Sequence, residues 1–163
     1  MSVFTARDVL SFAVRIEENG AAFYRKAAGL MKSNEAAKRL FEKLEVDEGQ
    51  HREIFSRILS SISQGPVSES YPGEYAAYLK HYVDNALIFK EEKLAQEVSG
   101  IRDLAGFIAF AMERELDSIL YYQEIKGLVA KNDHALLDRI IAEERRHVVQ
   151  LAELKGGDSR GGI

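Results

Sequence analysis

Cysteine does not occur among the 163 residues. That absence excludes a disulfide framework, a thiolate-ligated zinc site and any iron–sulfur or rubredoxin-type centre within the chain. Proline is nearly missing too. Pro66 and Pro72 both fall in ISQGPVSESYPGEY, the one segment rich in turn formers, and the chain divides there. Charge of one sign is not concentrated anywhere: 22 basic residues stand against 26 acidic ones, a formal net charge of -4, with no basic stripe to follow a phosphate backbone. No nucleic-acid partner is expected. Long apolar runs are lacking as well, since the longest, LAGFIAFAM at 104–112, is far too short to span a bilayer. The start, MSVFTARDVL, has none of the charged, apolar and small-residue pattern of a secretory signal. A soluble, cytoplasmic protein with no membrane partner is the expectation.

Alternating apolar residues, the mark of a strand, are also missing; apolar residues recur instead at three and four. At 46% hydrophobic composition the chain can bury one core, so a single all-α domain over 1–155 with a flexible tail at 156–163 is expected. Thr5 with Asp8 opens a helix to about Met31, and Ser33 or Asn34 caps a second to about Ser61. YAAYLKHYVDNALIFKEEKLAQEV reads as one or two shorter helices crossing the molecule. After Ser99 and Gly100 a third long helix runs from about Ile101 to Ala130, and after a turn at Lys131 to Asp133 a fourth reaches about Leu154. The fold predicted is a four-helix bundle of two antiparallel pairs, its long middle connection letting the second pair enter in the same direction as the first.

The two halves repeat one another. SFAVRIEENGAAFY (11–24) aligns with AFAMERELDSILYY (109–122), which places Glu17 on Glu115 and Tyr24 on Tyr122. LFEKLEVDEGQH (40–51) aligns with LLDRIIAEERRH (136–147) at nearly the same offset, placing Glu48 on Glu144 and His51 on His147. On the second helix, positions 41, 44, 48, 51, 55 and 58 read Phe, Leu, Glu, His, Phe, Ile; on the fourth, 137, 140, 144, 147, 151 and 154 read Leu, Ile, Glu, His, Leu, Leu. A polar pair thus replaces the central layer of an apolar seam. Glu17 and Glu115 sit on the matching seams of the first and third helices, flanked by the small residues Ala13 and Gly20 or Ala111 and Ser118.

Four carboxylates and two imidazoles would therefore meet inside an apolar bundle, where an isolated charge costs several kcal/mol even after relaxation. Two divalent cations would neutralise the carboxylates. In this reading Glu48 and Glu144 bridge the metals, Glu17 and Glu115 each cap one, and His51 and His147 each bind one. Carboxylate-rich ligation without thiolate favours iron, two per chain, with manganese or zinc as substitutes. A lone Glu-x-x-His on a helix is more often a solvated surface pair. Its repetition on core seams, with a matched Glu on each partner helix, reverses that weighting. His81 and His134 read as surface residues, and Glu18, Glu45 and Glu143, off the inward line, as solvated. Tyr24 and Tyr122 are either core aromatics or hydrogen-bond donors to a ligand carboxylate.

Glu17 with Tyr24, Glu48-x-x-His51, Glu115 with Tyr122 and Glu144-x-x-His147 resemble the ferritin-like superfamily, and more closely its rubrerythrin-like branch, from about residue 5 to 154. The resemblance implies a diiron centre that reduces peroxide or oxygen, oxidises and stores ferrous iron, or oxidises organic substrates. Two departures stand out. With no cysteine there is no rubredoxin-like site, so reductive turnover would draw on a separate donor such as a rubredoxin-type protein. Where rubrerythrins commonly add a glutamate one turn past the third-helix ligand, this chain has Ser118. Storage ferritins usually continue into a further short helix, whereas this sequence closes on GGDSRGGI.

Three functions remain open on sequence. One is a diiron oxidoreductase that reduces hydrogen peroxide or dioxygen in oxidative-stress defence, with the six ligands as its catalytic residues. Another is a ferroxidase for iron storage or delivery, and the last a binding module whose bundle a metal merely stabilises. Phe12, Phe23, Ile119 and Leu120 read as outer apolar residues, and a homodimer is expected.

Overall fold

A computed structural model describes residues 6–61 and 98–158, together with 77, 78, 81 and 96. Four long helices carry the described chain: α1 (Ala6–Leu30), α2 (Glu35–Ser61), α3 (Leu104–Ile125) and α4 (His134–Asp158). No strand occurs among the described residues, and no helix there is long and apolar enough to cross a membrane. The crossover helices expected between the halves fall almost wholly outside the described residues, as does the tail beyond Asp158.

The helix ends show which cap signals prevailed. At α2 the Asn34 side chain accepts from Ala37 N–H at 3.0 Å, so Asn34 rather than Ser33 is the cap. The third helix begins later than expected because Asp103 caps it, accepting from Gly106 N–H at 2.8 Å. It also ends earlier. Beyond Ile125 the chain tightens into 3-10 turns at Lys126–Leu128 and Lys131–Asp133, with His134 against the Val129 carbonyl at 3.1 Å. α4 continues past Leu154 through Gly156 and Gly157. Neither glycine takes a positive φ, so neither forms the left-handed stop that would end the helix, and each weakens a helical turn without forbidding it.

α1 packs on α2, α3 on α4, α1 on α3 and α2 on α4. The direction of the second pair differs from the expectation. Phe23, late in α1, meets Phe107, early in α3, at 6.1 Å between ring centroids, and Tyr121, late in α3, donates to the Val9 carbonyl at 2.8 Å. α3 therefore runs opposite to α1 and parallel to α2. The physical reason is in the connection: a segment as long as the one between Ser61 and Leu104 can carry the chain back to the end at which α2 began. The halves are then related by an approximate two-fold axis across the bundle, which brings equivalent residues face to face at its middle.

Two apolar clusters fill the interior. One gathers Leu10, Ile16, Phe55, Tyr122, Ile125 and Ile140, the other Phe23, Phe41, Leu44, Phe107, Ile108 and Leu151. Phe23, expected on the outside, is buried in the second cluster, and Phe12 and Ile119 pack against the first; of that set Leu120 is exposed. The turn before α2 offers a clean test of the capping assignment. Asn34→Ala lowers stability by about 1 kcal/mol in urea denaturation, while Ser33→Ala leaves it within about 0.5 kcal/mol. Equal losses would reassign the cap.

Candidate metal centre

Between the two apolar clusters lies a polar layer: Glu17 from α1, Glu48 and His51 from α2, Glu115 from α3, Glu144 and His147 from α4. Each is 4% exposed or less. The one-turn spacing from Glu48 to His51, and from Glu144 to His147, puts each pair on one helix face. All six residues singled out from the sequence come together here.

Their nitrogens and oxygens interlock. His51 Nδ1 stands 2.9 Å from Glu144 Oε1 and 3.5 Å from Glu17 Oε2. His147 Nδ1 stands 2.9 Å from Glu144 Oε2, 3.3 Å from Glu48 Oε1 and 3.6 Å from Glu115 Oε1. Glu144 thus presents one oxygen to each histidine. The imidazole rings lie 5.8 Å apart and nearly parallel. Two overlapping groups of four donors result, Glu17, Glu48, His51 and Glu144 on one side and Glu48, Glu115, Glu144 and His147 on the other, each with its ligand atoms within 4.8 Å of one another. Glu48 and Glu144 belong to both.

The outward atoms of the cluster are spoken for. Tyr24 donates its hydroxyl to Glu115 Oε1 and Tyr122 donates to Glu17 Oε1, so each tyrosine serves the carboxylate of the opposite half. His51 Nε2 meets Glu143 Oε2 at 2.7 Å, and His147 Nε2 meets Asp47 Oδ2 at 3.2 Å. Glu143 is in turn held by Arg139 at 3.1 Å and Arg146 at 3.3 Å, and Asp47 by Lys43. Glu143 is thus not the solvated bystander expected from the sequence. It and Asp47 orient the imidazoles through Nε2, so that Nδ1 of each faces inward. The signal was present as a second acidic residue before each Glu, Asp47-Glu48 and Glu143-Glu144, at matched positions of the repeat. Glu18 is exposed and Glu45 pairs with Arg25 at 2.7 Å, as a surface reading requires. His81 is exposed, whereas His134 is half-buried at the start of α4.

The inward atoms are a different matter. Glu17 Oε2, Glu48 Oε1, His51 Nδ1, both Glu144 oxygens and His147 Nδ1 are buried without a hydrogen-bond partner, because their close approaches lack hydrogen-bond alignment. Buried polar atoms are seldom left so. Converging orphaned atoms on three carboxylates and two imidazoles, with Glu115 beside them, suit a metal site in which Glu48 and Glu144 belong to both groups of donors.

Electrostatics agree. Burial, reinforced by Glu144, pushes the Glu17 carboxyl up; burial with Glu17 and Glu115 pushes Glu48 well up; and burial with Glu48 and Glu115 takes Glu144 to about 8. His51 is pushed up to about 12, since Glu144 and Glu17 outweigh the burial that opposes its charge, and His147 rises likewise. Glu115 alone among the four carboxyls is held low, His147 overcoming burial. Without a metal, protons must do the neutralising.

Gly20 has its own place here. A Cβ on it would stand 2.7 Å from Glu48 Oε2, so the room that its small size implied is occupied by the Glu48 carboxylate. Ile16, Gly20, Tyr24, Glu48, Arg114, Glu115 and Ser118 are among the residues lining a cavity of about 30 Å³ between α1 and α3.

A sequence model of the family described as Rubrerythrin matches residues 8–155. The chain belongs to the rubrerythrin family. A crystal structure of a candidate ferritin-like diiron-carboxylate protein from Thermotoga maritima is similar at 25% identity, with a TM-score of 0.66, over 95% of this chain and 97% of that one. No curated protein sequence matches. The ferritin-like fold and a buried carboxylate and histidine cluster suited to metal thus characterise this rubrerythrin-family chain.

Two outcomes test the centre. Gly20→Ala displaces the Glu48 carboxylate and weakens metal binding at least about tenfold by competition with a chelating dye, with helix content unchanged in circular dichroism; wild-type affinity would refute the contact. The second concerns pH. Carboxyls and imidazoles whose pKa is raised on folding bind more protons in the folded chain between their unfolded and folded values, so stability falls as pH rises through that window. For Glu144 it runs from the usual carboxyl range to about 8, and for His51 from 6.5 to about 12. Metal displaces those protons, so the rise in Tm on adding zinc is larger at pH 8 than at pH 5 in calorimetry. A constant increment would contradict the proton-filled cluster.

Proposed function

We propose that the chain is a diiron-carboxylate oxidoreductase that reduces hydrogen peroxide or dioxygen. The observation that carries the reading is the cavity of about 30 Å³ bounded by Glu48 and Glu115, ligand candidates of the metal layer. Through it a small oxygen species can reach those carboxylates from between α1 and α3. Hydrogen peroxide and dioxygen have two heavy atoms each and are small enough for that approach.

Glu48 and Glu144 would span the metal pair, with Glu17 and His51 completing one side and Glu115 and His147 the other. Ferrous iron held by these residues would supply electrons and Lewis acidity toward an oxygen ligand. The chain's residues set the conditions. Tyr24 and Tyr122 each donate to one oxygen of Glu115 and Glu17, and the other oxygen of Glu17 is left without a hydrogen-bond partner. Asp47 and Glu143 hold the two imidazoles in register. The apolar clusters above and below exclude bulk water, which strengthens every electrostatic interaction in the layer. Peroxide takes up a pair of electrons and a pair of protons, its O–O bond breaks, and two waters leave. With no cysteine in the chain, the electrons for turnover would come from a separate donor, for which a rubredoxin-type protein is the natural class. Leu116 and Leu120, exposed one turn apart on α3, support association with a second copy.

Anaerobic ferrous loading of metal-free protein, followed by oxidant titration in the near-UV, tests the reading. A break at about two irons per chain, reversible on re-reduction, is expected. Uptake far beyond that would replace it with iron storage, and no retained iron would sink the diiron assignment.

A further inference from the structure

An ion bound for the metal layer must shed most of its water before it meets a ligand, because each of the six candidate ligands is 4% exposed or less. Apolar clusters close the layer above and below. Two cavities adjoin it from the sides. The one between α1 and α3 is lined in part by Ile16, Phe23, Phe110 and Arg114, apolar or cationic groups that cannot replace the water around a divalent cation. The other lies between α2 and α4. It has a volume of about 160 Å³, and Lys43, Asp47, Gln50, Glu143, Arg146 and His147 line it, every one of them polar.

His147 is the wall between this second pocket and the layer. The residue is 2% exposed and lines the pocket; its Nε2 stands 3.2 Å from Asp47 Oδ2, and its unpartnered Nδ1 stands 2.9 Å from Glu144 Oε2. Glu143 holds the equivalent place beside His51, 2.7 Å from Nε2. An ion on Asp47 or Glu143 is thus one imidazole away from the inward donors. Both carboxylates already hold a cation. Lys43 pairs with Asp47, and Arg146 reaches Glu143 at 3.3 Å. Those two cationic side chains are 51% and 64% exposed, and ion pairs in contact with water are weak and readily exchanged. One arriving dication replaces two unit charges, so the charge balance of the pocket survives the exchange.

We propose that the polar pocket between α2 and α4 is the entry through which divalent metal ions reach the buried layer, Asp47 and Glu143 receiving the hydrated ion as Lys43 and Arg146 give way. The inference rests on the metal-centre reading and is independent of the oxidant that the centre takes. Metal and oxidant then use opposite faces of the bundle.

The test follows cobalt(II) uptake by metal-free full-length protein in stopped-flow absorption, and cobalt release into excess EDTA. Three variants are compared with wild type. The double variant Lys43→Gln/Arg146→Gln removes the two cations of the pocket, Gln50→Lys adds one to it, and Asn19→Lys adds one to the cavity between α1 and α3. A barrier on the route acts in both directions, so uptake and release should both quicken about fivefold or more in the double variant and both slow in Gln50→Lys, with affinity unchanged. Asn19→Lys should match wild type. Faster uptake with slower release in the double variant would mean that the lost charges only repelled bound metal, and faster release alone that they only steadied the imidazoles; either result overturns the proposal. Slower uptake in Asn19→Lys, with the other variants at wild-type rates, overturns it too and moves the entry to the α1 and α3 side. Should the double variant lose helix content in circular dichroism, Gln50→Lys decides, and wild-type rates there overturn the assignment. A wild type that binds no cobalt removes the metal-centre reading, and this inference with it.

Discussion

Burying four carboxylates that face two imidazoles is the constraint on which the rest of this molecule depends. Such a layer is tolerable only if cations fill it, whether protons or metal ions, and only if every outward polar atom is satisfied by protein. The structure meets the second condition with care: two tyrosine hydroxyls, an aspartate and a glutamate occupy the outward atoms. What is left is a set of inward oxygens and nitrogens with no hydrogen-bond partner. Those orphans, more than the presence of acidic residues, argue for metal.

The approximate two-fold axis explains how so few elements do this. Because α3 runs opposite to α1, the tyrosine that follows one capping glutamate by two turns lands on the other capping glutamate. For the same reason Glu143 supports His51 while Asp47 supports His147. Each half therefore supplies the supports of the other, and neither half could assemble a satisfied cluster alone. The apolar clusters on either side, with Phe55 and Tyr122 on one and Phe41 and Tyr24 on the other, clamp this layer at a fixed depth.

Departures from the repeat are as informative as its matches. Gly20 faces Ser118 in the alignment because the Glu48 carboxylate passes over Gly20 with no space for a Cβ. Ile16 faces Arg114 across the same cavity. Duplication of a helix pair builds a symmetric cage, and the asymmetric substitutions cluster where that cage opens toward α1 and α3.

Much of this was legible in the chain itself. Helix-period stripes, two prolines confined to one segment and a doubled Glu-x-x-His point to the bundle, the six inward carboxylates and imidazoles and their division among four helices, because a residue's face on a helix follows from its spacing alone. Spacing is silent about partners. Whether Asn34 or Ser33 caps α2, which way α3 enters, which glutamate Tyr24 reaches, which imidazole nitrogen turns inward and whether Glu143 is solvated are contacts between segments distant in sequence. Only packing the four helices around one polar layer decides them, since each depends on the relative position of two helices rather than on the periodicity of either.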